Sequence, residues 1–102
     1  MVFDLSKISG IGDYSEKTDK EHTIFYVKKS DDSEKPFLIV NKNTFEIRCD
    51  QKLSELLINK YESVMESRYF GKGGIEIVPT SQLEETETND LIRLSYNLTK
   101  DL

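Results

Sequence analysis

The sequence predicts an α+β domain, an antiparallel β-sheet with helices packed on one face. Two observations carry this reading. Three β-rich runs follow one another between positions 22 and 49, and two leucine-striped helical segments come after them with a further strand in between. At 102 residues the chain fits one domain, 1–102, able to bury about 65% of its unfolded surface in a modest core.

The elements are read in chain order. Residues 1–21 form a poorly defined N-terminal segment: Val2, Phe3, Leu5 and Ile8 have rough helical spacing, Gly10 and Gly12 cut it short, and Asp13 to Glu21 is polar and reads as a loop. His22 to Lys29 carries the β-rich run Thr23-Ile24-Phe25-Tyr26-Val27. After a polar loop, Pro36 opens a second run, Phe37 to Val40, and Asn41-Lys42-Asn43 makes the turn to a third. In that third run, Thr44 to Cys49, Phe45, Ile47 and Cys49 alternate with Glu46 and Arg48, which implies one covered face and one solvated face. Asp50 can cap a helix with Leu53, Leu56, Leu57 and Tyr61 as its apolar stripe. Between positions 62 and 70 a short strand is expected near Tyr69. Gly71-Lys72-Gly73-Gly74 then reads as a hairpin turn before the strand Ile75 to Val78. After a polar linker from Thr80 to Glu85, Thr86 is the expected cap of a last helix striped by Leu91, Leu94, Leu98 and Leu102.

Charge narrows the function. With 19 acidic and 14 basic residues the net charge is −5, whereas a surface built for DNA gains its affinity from many lysine and arginine contacts to phosphate. The single cysteine, Cys49, leaves no internal disulfide to form, and no apolar run approaches the ~20 residues of a membrane span. With no signal-peptide pattern at the start, a cytoplasmic setting and no membrane partner are expected.

Catalytic constellations are sparse. His22 and Cys49 are the one histidine and the one cysteine, and in an up-down-up meander they fall roughly 15 to 20 Å apart, outside reach of each other. Asp31, Asp32 and Glu34 crowd one loop without the spaced ligands and glycine of a calcium loop, so no metal or other cofactor is expected. The carboxylates Glu84, Glu85, Glu87 and Asp90 suit the positive end of a helix. Gly71–Gly74 lacks the longer pattern of a phosphate loop. Lys28, Lys29, Lys42, Arg48 and Tyr26 are candidates for a shared sheet surface, with Glu46 beside Arg48 on it.

From about His22 onward the chain resembles the MmcQ/YjbR family of small bacterial proteins. The resemblance rests on Lys35-Pro36-Phe37 opening a strand, on Ile47-Arg48-Cys49-Asp50 running into the helix with Leu53, Leu56, Leu57 and Tyr61, and on Ser95-Tyr96 in the last helix. Where family members often carry His-x-x-Lys and then Trp, this chain has Tyr69 to Ile75, keeping Lys72 without the His or the Trp. The resemblance implies a curved antiparallel sheet with helices on one side, similar to secretion chaperones, and the family is often labelled DNA-binding. The resulting expectation is a non-enzymatic binding module acting through its open sheet face or with a protein partner. Its rivals are DNA binding through Lys28, Lys29, Lys42, Arg48 and Lys72, and an enzyme or a phosphate or nucleotide binder using Lys72 with Tyr69 or Tyr96 at Gly71–Gly74.

Overall fold

The computed structural model describes residues 5–79 and 82–102, so Val2, Phe3 and the start of the Thr80–Glu85 linker lie outside the described residues. A short 3-10 helix, Leu5–Lys7, precedes strands β1 (Tyr14–Thr18), β2 (Thr23–Lys28), β3 (Glu34–Val40) and β4 (Phe45–Arg48). Helix α1 (Gln51–Lys60), strands β5 (Val64–Ser67) and β6 (Gly71–Ile77), and helix α2 (Glu85–Lys100) complete the chain. All pairings are antiparallel, in the order β1-β2-β3-β4-β6-β5. Both helices cover the same face. Leu53, Leu57 and Ile58 of α1 with Tyr61 just after it, and Ile92 and Tyr96 of α2, join one core with Phe25, Val27, Leu38, Phe45, Ile47, Ile75 and Ile77.

Four expectations are corrected. The polar stretch Asp13–Glu21 contains β1, an edge strand with residues 16–18 exposed; Tyr14 alone of its side chains packs on the core, against Phe25 at 5.9 Å between ring centroids. The strand expected near Tyr69 ends at Ser67, and Tyr69 lies in the turn after it. Of the stretch 71–74 expected as a hairpin turn, only Gly71 keeps a turn conformation, with φ 62° where β6 leaves the turn, and residues 72–74 belong to the first half of β6. Gly74 must be glycine because a Cβ there would meet the Ile47 carbonyl oxygen at 2.5 Å and Phe70 Cβ at 2.6 Å. At α2 the N-cap is Glu84, which makes no side-chain cap bond, and Thr86 lies inside the helix. Helix α1 starts as the sequence implies, with the Asp50 carboxylate accepting the Leu53 N–H at 2.9 Å.

A bulge in β3 links sheet and helix. Phe25 pairs with Leu38 and Tyr26 with Pro36, leaving Phe37 outside the ladder. Pro36 has no N–H to give, and a bulge is where a sheet tolerates it. Both Phe37 and Leu38 thereby reach the core, with Phe37 edge-on to Tyr96 at 5.1 Å between centroids. The freed Phe37 carbonyl accepts from the Ser95 hydroxyl of α2 at 2.6 Å.

Candidate functional site

The face away from the helices carries one cross-strand row: Lys17, Ile24, Ile39, Glu46, Glu76 and Met65 stand side by side across all six strands. Alternation along β4 placed Glu46 on a solvated face, yet Glu46 and Glu76 are only 3% and 2% exposed. They are direct cross-strand partners, so two like charges face each other. Such a pair persists only when donors satisfy it, and segments flanking the strands supply them. Glu46 accepts from Asn41 Nδ2 at 2.9 Å, from the Ser67 hydroxyl at 2.7 Å and from the Tyr69 N–H at 3.0 Å. Glu76 accepts a two-pronged pair from Arg68, at 2.9 and 2.8 Å, and a third bond from the Thr44 hydroxyl at 2.7 Å. Burial pushes the Glu46 carboxyl up, but its hydrogen bonds from Asn41, Ser67 and Tyr69 outweigh that and hold it below its ordinary value. The Glu76 hydrogen bonds raise the Arg68 guanidinium further.

Around this floor lies an open groove of about 760 Å³, lined by Lys20, Glu21, His22, Ile39, Asn41 and Lys42 together with Glu46, Arg68 and Tyr69. The Arg68 side chain is 74% exposed although its Nε and Nη2 are engaged. The Tyr69 ring, on a residue 53% exposed, stands edge-on to Phe70 at 5.1 Å. His22 is tied to Asp19 at 3.0 Å.

The structure brings together two of the candidate residues read from the sequence, Lys42 and Tyr69, on this groove. Lys28 and Lys29 fall at the far end of β2, roughly 20 Å from Lys42 along the strands. Lys28 is exposed there, and Lys29 donates to the Leu102 carbonyl. Arg48 is engaged: its guanidinium sits 4.8 Å from the Phe70 ring centroid, Nε donates to the Thr99 hydroxyl at 3.1 Å and Nη2 to the Pro36 carbonyl at 3.1 Å. Burial lowers its pKa. Lys72 lines a separate recess of about 120 Å³ with Gln51, Ser54, Glu55 and Glu66. Tyr96 belongs to the helix side, its hydroxyl donating to the Asp13 carbonyl at 2.9 Å. Residues 72–74 run along β6 after Gly71, which is left-handed at φ 62°, and they form no cradle for a phosphate.

The groove's polar floor escaped the sequence reading. Its trace was there: Glu46 sits between Phe45 and Ile47, and Glu76 between Ile75 and Ile77, so two carboxylates share the second face of strands whose first face is fully apolar.

Other chemistry has no assembled site. Register puts His22 level with Thr44, two strands away from Cys49 and roughly 19 Å from it. Cys49 is buried against the Ser54 hydroxyl at 2.8 Å, and burial raises its thiol pKa. Among the described residues no three His, Cys, Asp or Glu side chains converge as metal ligands, and no helix is long and apolar enough to cross a membrane. Comparison with family models, with curated proteins and with solved structures finds no match to this chain.

Proposed function

We propose that this chain is a non-enzymatic binding module whose partner seats in the groove on the sheet face opposite the helices. The observation that carries the reading is the buried Glu46–Glu76 pair. A sheet face with no second layer over it ordinarily stays simply polar, yet here two separate turns, 41–44 and 67–69, converge to satisfy two desolvated carboxylates. That network fixes the Arg68 and Tyr69 segment over the strands and so gives the groove a rigid wall. The MmcQ/YjbR kinship proposed with it rests on the motifs Lys35-Pro36-Phe37, Ile47-Arg48-Cys49-Asp50 and Ser95-Tyr96 of the sequence, and a cytoplasmic setting is proposed on the same ground.

The DNA reading draws less support, because Lys28, Lys29, Lys42, Arg48 and Lys72 are spread over separate surfaces and Arg48 is engaged within the fold. An amide correlation spectrum of the labelled chain, screened against mixed small fragments and short peptides, tests the proposal. Binders that shift Asn41, Lys42, Arg68 and Tyr69 are expected. Binders confined to other surfaces, or turnover of a substrate that one point change abolishes, would overturn it.

A further inference from the structure

Building on the groove as the binding surface, we infer that its ligand is a small phosphate ester carrying a planar ring, of the mononucleotide class. The charge arrangement comes first. Each carboxylate oxygen of Glu46 and Glu76 is already taken by a protein donor, so the floor offers no free ligand for a cation. The positive groups are differently placed. Lys20 and Lys42 are exposed on the groove and make no ion pair among the described residues. Arg68 spends Nε and Nη2 on Glu76, which leaves Nη1 and the outer edge of the fork toward solvent. Because Glu76 already holds the guanidinium in one orientation, an arriving phosphate meets a donor edge that needs no further ordering.

Of the nearby acids, Asp19 is occupied by the Glu21 and His22 N–H groups and by the His22 ring. Glu21 is the exposed carboxylate on the groove, and it opposes an anion.

The ring requirement comes from Tyr69. A half-exposed phenol braced edge-on by Phe70 is a stacking surface for a flat base. Size and field select a monomer over a polymer. About 760 Å³ suits a ligand of that size, while a net charge of −5 repels a long polyanion.

The experiment titrates the full labelled chain with AMP, GMP, CMP and UMP, and in parallel with the matching nucleosides, inorganic phosphate and a twelve-nucleotide single strand. Saturable shifts at Asn41, Lys42 and Tyr69 with the monophosphates are expected, at least about tenfold weaker in the Lys20→Ala/Lys42→Ala double variant, and tighter in Glu21→Gln. These exposed positions keep the fold, whereas Arg68→Ala strands a buried Glu76. The inference is overturned if no monophosphate saturates, if the double lysine variant binds as well as the parent, if phosphate or nucleoside alone binds as tightly, or if the oligonucleotide binds more tightly. Neutral or cationic fragments that occupy the groove while nucleotides do not would remove the ligand class and leave the groove; no occupant of any kind would remove both.

Discussion

The Ser95 hydroxyl accepts the Arg48 backbone N–H at 2.8 Å, and the same oxygen donates to the Phe37 carbonyl at 2.6 Å. The β3–β4 ladder closes at Leu38 and Ile47, so this helix side chain supplies the next rung in place of a strand-to-strand bond. The bulge at Phe37 makes the arrangement necessary. Ser95→Ala should leave a buried N–H and a buried carbonyl unpaired and cost about 2–4 kcal/mol. Urea unfolding checks it: the midpoint should fall with the slope unchanged.

Glu46 makes stability acid-sensitive. Its folded carboxyl lies below the ordinary 4.5, so the stability it contributes is fully present above about that pH and is lost as pH falls through the lower folded value. Asp19 and Asp31 are also lowered and act in the same direction. Glu46→Gln should destabilise the protein at pH 7 by about 1–3 kcal/mol and flatten the acid limb without abolishing it. Thermal melts of both proteins between pH 7 and pH 3 supply the comparison; parallel curves would refute the assignment.

Gly74 and Gly73 provide an internal contrast. Gly74→Ala forces a Cβ into the Ile47 carbonyl oxygen, a backbone atom of the neighbouring strand, and should cost about 1–3 kcal/mol or more. Gly73→Ala meets nothing closer than the Phe70 carbonyl oxygen at 3.6 Å and should be neutral or slightly stabilising. Calorimetric melting of the two variants side by side decides it, and equal losses would show that strand glycine as such, rather than the close approach, matters.

The Cys49 thiol should stay protonated and shielded at pH 8, since burial raises its pKa and Ser54 closes over it. Colorimetric thiol titration should give a slow reaction in buffer and a full, fast one in denaturant. A fast native reaction would mean that the end of β4 opens.

Legibility in the sequence followed burial. Strands β2, β3 and β4 announce themselves because their apolar side chains alternate or cluster, and α1 because Asp50 and the leucines agree. Strand β1 hides because an edge strand owes most of its stability to backbone pairing, and Tyr14 is the only side chain it packs on the core. Gly74 misleads because a glycine needed for close approach is spelled like one needed for a turn, as Gly71 is with its φ of 62°. Lys42 and Tyr69 were visible as chemistry, but the groove joining them depends on Arg68, Ser67 and Asn41 arriving from different turns, which no local pattern encodes.

The Ser95 rung also orders events in time. All six strands precede α2 in the chain, so on a ribosome every strand leaves the exit tunnel before the hydroxyl that joins Phe37 to Arg48 has emerged. Until then β3 and β4 are held together only from Leu38–Ile47 to Val40–Phe45, and the rung beyond that pair waits for the last helix.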